Sequence, residues 1–272
     1  MPDVDRPRPP EGDWLGTPFL HFERLGPIAK VTVDRPERRN ALTAAMYFGI
    51  RYAIDHVGRD DALAGLLLTG TGDVFIPGGD MGGEQVDNWG AVHLLGMDTT
   101  PFEAVRNAPK PVVCALNGLT QGGGMMIAML ASVSVASERA TFRAPELFRG
   151  IADTNYGQIL PRQIGPARAR DMLLTGRVVD AHEAERWGLV SRVVPHDQLI
   201  DAAMDVLAWC CRTGPEARRA VQRSIDGFYG HYDKMSMEDS LAGAESMEGI
   251  TAFAQRRSPS WVPEALRLDG RL

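Results

Sequence analysis

Two glycine-rich stretches, Gly78-Gly79-Asp80 and Gly122-Gly123-Gly124, each follow a run of apolar residues that reads as a buried strand. Glycine lets the main chain approach a ligand closely and take up positive φ. The second stretch also opens a helix, where unpaired N–H groups and the helix dipole favour negative charge. Two N–H groups aimed at one oxygen would make an oxyanion hole, suited to a reaction that passes through an enolate. Either stretch alone reads as a tight turn with no ligand. Other catalytic signatures are missing: there is no dinucleotide-binding glycine motif, P-loop, Gly-x-Ser-x-Gly elbow or His-Glu-x-x-His. The six histidines are scattered without ligand spacing, so no metal is expected.

The composition narrows the partners. With 272 residues, 29 Lys plus Arg against 35 Asp plus Glu and a net charge of −6, there is no basic surplus for nucleic acid. Hydrophobic residues at 44% and charged residues at 24% exclude a disordered chain or a rod. Lysine occurs only at positions 30, 110 and 234, so a ligand phosphate would be met by Arg or by backbone N–H. Residues 112–137 carry no charge and are numerous enough to span a bilayer. Three consecutive glycines inside that stretch argue against a spanning helix, so a strand, a glycine turn and a helix are expected, with no membrane partner. Cys114, Cys210 and Cys211 fit a reducing compartment, and the Pro-rich, acidic residues 1–16 read as a loose tail without a signal pattern. A cytoplasmic location is the corresponding expectation.

Short β-type runs at 19–22 and 28–33 precede an amphipathic helix carrying Met46, Ile50, Ala53, Ile54 and Val57 at helical spacing. Strands are expected at 65–70 and 111–117, helices at 102–107 and 125–131, and a strand pair from 133–136 and 140–142. Strand–turn–helix units in series predict an α/β fold with parallel-type sheets. Beyond Gly165 the pattern turns helical, over 167–174, 181–187, 199–211, from 215 to 229 and from 236 to 257. The chain divides on this reading into a tail (1–16), an α/β core (17–200) and a helical C-terminal region (201–272).

Set in order, the motifs resemble the crotonase superfamily of enoyl-CoA hydratases and isomerases. They are Asn40-Ala41-Leu42, Phe75-Ile76-Pro77-Gly78-Gly79-Asp80, the run from Lys110 to Gly118, Gly122-Gly123-Gly124, Ala140-Thr141-Phe142, Pro145-Glu146-Leu147, Leu174-Thr175-Gly176 and the run from Ala184 to Val190. The match covers roughly residues 18–258. It implies a crotonase-like ββα spiral core with a helical C-terminal region used in trimerisation, and a homotrimer or hexamer. It further implies an acyl-CoA thioester substrate, with coenzyme A entering as part of that substrate and no tightly bound cofactor. By position, the N–H groups of Gly79 and Gly123 correspond to the family's oxyanion hole. Ala41, Leu42, Pro77 and Met81 correspond to the bend that receives the coenzyme, and Arg35, Arg38 and Arg39 are either phosphate partners or solvated surface.

Hydratases of that family use two glutamates. The later one is present as Glu146, whereas the earlier position is Met126, which cannot exchange a proton. A single carboxyl resembles the 3-enoyl-CoA to 2-enoyl-CoA isomerases, in which one base takes a proton from C2 and returns it to C4. Glu146 reads otherwise as a solvated loop carboxylate or a helix N-terminal residue. Met126 reads as core filler or as the apolar lining of an acyl pocket. Asp153 either caps the next helix or, with Asn155 and Tyr156, faces the acyl group or a hydrolytic water. The alternatives to an isomerase are therefore a hydratase, an acyl-CoA or C–C-bond hydrolase, and a catalytically inactive acyl-CoA-binding protein. Phe228, Met235, Met237, Leu241, Phe253 and Trp261 serve an intersubunit surface or the core.

Overall fold

The computed structural model describes residues 14–80, 101–227, 240–262, 264 and 267. Its strands form two sheets that the chain visits alternately. The larger has six strands in the order β1 (Leu20–Leu25), β2 (Ile28–Val33), β3 (Gly65–Gly70), β5 (Val112–Leu116), β7 (Val133–Ser137) and β10 (Arg192–Val194). Within this sheet, among the described residues, only the β1–β2 pair is antiparallel. The smaller sheet has the order β4 (Val74–Ile76), β6 (Leu119–Gln121), β8 (Thr141–Arg143) and β9 (Val179–Asp180). Three turns of the spiral, β3–β4, β5–β6 and β7–β8, each give a longer strand to the first sheet and a three-residue strand to the second, followed by a helix or helical turn.

Buried parallel strands explain the apolar runs. Leu66, Leu67 and Leu68 of β3 and every residue of β5 are buried, because helices cover both faces of the large sheet. One face packs against α1 (Ala44–Arg59) and α3 (Gly122–Leu130), α2 (Pro101–Arg106) lying between them in sequence. The other face sets Ile28, Leu67, Val113, Ala115 and Val135 against Leu199, Ala203, Val206 and Leu207 of helix α7 (Leu199–Cys211). The remaining helices are α4 (Thr154–Ile164), α5 (Pro166–Thr175), α6 (Ala181–Trp187), α8 (Pro215–Gly227) and α9 (Ala244–Ala254). Among the described residues, no helix is long and apolar enough to cross a membrane.

Two local expectations change. The runs at 133–136 and 140–142 do not pair with each other: β7 joins the large sheet and β8 the small one. A turn at Glu138–Ala140, closed by Ala140 N–H donating to Ser137 O at 2.9 Å, redirects the chain between sheets. Helix α3 starts at Gly122 and not at Met125, so the three glycines are its first turn.

Candidate active site

The approach of β4 to α3 builds the site. Asn40, 1% exposed, accepts from Arg35 N–H at 2.9 Å and donates to Thr71 O at 3.1 Å and Val74 O at 2.7 Å. Asn117 donates to Gly72 O at 2.9 Å and Val74 O at 3.1 Å. These two amides replace the backbone partners that a tight turn lacks and fix the start of β4. Beyond Pro77, Leu42 N–H donates to Gly78 O and Asp80 N–H donates to Leu42 O, both at 2.9 Å. In extended chain successive N–H groups alternate sides, so this bridge turns the Gly79 N–H away from Leu42. Gly79 is exposed.

The facing wall is the first turn of α3. Gly122 adopts φ +50° and Gly78 φ +109°, values that side chains rarely allow. A Cβ on Gly78 would sit 3.7 Å from Gly123 N, so the two glycine turns stand side by side. As the second helical residue, Gly123 has no intrahelical partner for its N–H. Gly79 and Gly123 therefore belong to neighbouring glycine turns.

Glu146 opens a short 3-10 turn (Glu146–Arg149) held by Gly150 at φ +64°. A Cβ on Gly122 would lie 3.0 Å from Glu146 Oε1, which seats the carboxyl against the glycine turn. Its Oε2 is buried with no hydrogen-bond partner among the described residues. Burial, reinforced by the neighbouring Asp153 charge and opposed by Arg149, pushes the Glu146 carboxyl up to about 8. Such a group is mostly neutral at pH 7 and, once ionised, a stronger base than an ordinary glutamate.

Asp153 takes the capping position of its two readings and also stands near Glu146. It caps α4, accepting from Asn155 N–H and Asn155 Nδ2, each at 3.1 Å. It also lies within the electrostatic reach of Glu146, and its own carboxyl is raised by burial against the pull of those hydrogen bonds. Tyr156 is buried and donates from Oη to Gly122 O at 2.5 Å, bracing the glycine turn from below. Met126 is buried one helical turn beyond Gly122 on the same face, so no titratable side chain stands there. Glu146, Asp153 and Tyr156 meet Leu147, Leu173 and Leu174 around a cavity of about 210 Å³.

Ala41 and Leu42 lie beside Gly78 and Asp80. Met81 lies outside the described residues, as do Phe228, Met235 and Met237. Arg35 is committed elsewhere: Nη1 pairs with Asp80 Oδ2 and donates to Ala41 O, both at 2.8 Å, tying the two loops together. A phosphate-binding role for it gives way to that bracing role.

Tyr47, in the first turn of α1, escaped the sequence reading. A Cβ on Gly123 would run into its Oη, and one on Gly79 would lie 3.8 Å from it. Burial raises the Tyr47 hydroxyl, with Glu146 and then Asp153 adding to the shift. The hydroxyl thus stands over both glycines as a neutral donor. The available signal was a tyrosine shortly after the Asn40-Ala41-Leu42 motif, at a position where helix periodicity alone predicts only packing.

Residues 23–264 match the protein family described as enoyl-CoA hydratase/isomerase. The chain is 33% identical over 259 residues to the mevalonyl-coenzyme A hydratase of Aspergillus fumigatus, covering 88% of this chain and 93% of that protein. Other similar proteins are named probable enoyl-CoA hydratase or carnitinyl-CoA dehydratase. An enoyl-CoA hydratase/isomerase structure from Pseudoalteromonas atlantica superposes with a TM-score of 0.76 at 26% identity, over 90% of this chain and all of that one. A monofunctional enoyl-CoA isomerase from M. smegmatis gives 0.67 at 30% identity, over 81% and 99%.

Proposed function

The chain belongs to the enoyl-CoA hydratase/isomerase family, and from that premise we propose that it shifts the double bond of an enoyl-CoA thioester with Glu146 as its one proton carrier. The observation that carries this reading is the Glu146 carboxyl seated on the Gly122 turn, Oε2 unpaired, with Met126 in place of a second acid. The thioester oxygen accepts from the N–H groups of Gly79 and Gly123. Ionised Glu146 takes the C2 proton of a 3-enoyl thioester, and the electrons move into a dienolate whose oxygen the two N–H groups stabilise. The same proton returns at C4, the carbonyl reforms, and a 2-enoyl thioester leaves with no atom gained or lost. Ala41, Leu42, Pro77 and Met81 would receive the coenzyme, and Met126 and Tyr156 the acyl end.

Tyr47 supplies a third donor in this scheme. Replacing it with phenylalanine should lower turnover about 10- to 100-fold, the worth of one hydrogen bond to a charged acceptor, with KM nearly unchanged in steady-state kinetics.

The pH profile gives a second check. A base held up to about 8 works only when ionised, so kcat/KM should rise with pH and level off above about 8. Asp153 contributes to that rise, so Asp153→Asn should move the midpoint to lower pH. A midpoint in the usual carboxylate range in both proteins would refute the assignment of Glu146.

Hydration or dehydration is the second reading, favoured by the buried Asp153 beside Glu146 and by the names of the similar proteins. There Asp153 would position water, and Asp153→Asn would abolish activity instead of shifting its pH dependence. A trimer or hexamer and the division into tail, core and C-terminal region belong to the same proposal. Exposed Trp209, Val221, Ile225, Met247 and Phe253 along the C-terminal helices support intersubunit contacts there. Gel filtration with light scattering decides that point.

A further inference from the structure

A second cavity, of about 450 Å³, opens between the 146–149 turn and helix α9 and is lined by Arg143, Arg149, Arg256 and Arg257. Arg143 donates from Nε to Gly176 O at 2.6 Å, and its guanidinium carbon lies 5.1 Å from the centre of the Phe148 ring. Arg149 donates from Nη1 to Pro145 O at 3.0 Å and stacks 4.4 Å from the centre of the Phe253 ring. Rings and carbonyls therefore hold both planar forks in place. Arg257 is matched by Glu248, at 2.7 and 3.0 Å. Among the described residues, neither Arg143 nor Arg149 has a carboxylate ion-pair partner, and the buried Arg149 Nε has no hydrogen-bond partner.

This arrangement is costly as it stands. Burial weakens the hold of both guanidinium groups on their protons, and at Arg149 the Arg143 charge adds to that effect. The acid that Arg149 does feel, Glu146, forms no ion pair with it and is mostly neutral at pH 7. A bound oxyanion would offset the repulsion and fill the open donors, and fixed guanidinium forks match phosphate and carboxylate geometry. We propose that this cavity is an anion site, separate from the thioester's own coenzyme, which takes a small molecule carrying a phosphate or carboxylate group on Arg143 and Arg149, with Arg256 at its rim.

Calorimetric titration of the full chain with inorganic phosphate and with succinate, at constant ionic strength, tests this. Saturable one-to-one binding is expected for at least one anion, weakened about tenfold or more in Arg149→Gln and reduced in Arg256→Gln, while free coenzyme A binds all three proteins alike. The stronger anion identifies the class. Arg256 is exposed, so its variant decides the matter should Arg149→Gln fail to fold. Absence of saturable binding, binding undiminished in the folded variants, or a parallel loss of coenzyme A affinity would each overturn the proposal.

Discussion

Glutamine at position 146 is expected to slow double-bond migration by about 10²–10⁴-fold, the usual worth of a positioned acid–base group. Gln keeps the length of the side chain and fills the same space against Gly122, so thioester binding should survive and the loss should fall on kcat. The amide cannot carry the C2 proton to C4, and among the described residues no other carboxyl is placed to take over: Met126 occupies the next turn, and Asp153 is engaged by two hydrogen bonds from Asn155. Stopped-flow absorbance at the conjugated 2-enoyl thioester reads the rate directly. A loss below tenfold would mean that proton transfer runs through another group, with Asp153 the first to examine.

The second large effect is expected from Gly124→Ala, in the first turn of α3. A Cβ there would strike Ile76 O and Cβ, so α3 must back away from β4. That displacement separates Gly123 N–H from Gly79 N–H, and an oxyanion hole that loses one donor costs about 10²–10³ in kcat. Alanine favours the helix by propensity alone, by roughly 1 kcal/mol over glycine. The sign of the effect therefore distinguishes packing from propensity. Circular dichroism and thermal unfolding would show whether the folded variant is still impaired. A folded Gly124→Ala protein with full turnover would mean that the N–H pair is not the oxyanion hole.

Much of the frame was legible because its signals are local. The unbroken apolar runs of β3 and β5 and the 3.6-residue spacing in α1 need no tertiary knowledge. The motifs from Asn40 to Val190 carried the family. The second sheet was not legible, since β4, β6 and β8 have three residues each and their pairing is set by Asn40, Asn117 and the turns that precede them. Reading 133–142 as a hairpin failed for that reason: proximity in sequence says nothing about which sheet each strand joins. Tyr47 was not singled out in the sequence, because burial and chemistry coincide at that position. Asp153 posed a choice between cap and functional acid, and a single carboxylate in the structure combines capping with proximity to Glu146.

The most direct test of the central claim is to incubate the protein separately with a 3-enoyl-CoA and a 2-enoyl-CoA thioester in deuterated water and follow the products by mass spectrometry and NMR. A single Glu146 working as proposed moves the double bond between C3 and C2 and leaves the oxygen count unchanged, with any deuterium gained confined to C2 and C4. Formation of a 3-hydroxyacyl thioester from the 2-enoyl substrate, without double-bond migration from the 3-enoyl one, would contradict the account and make the enzyme a hydratase.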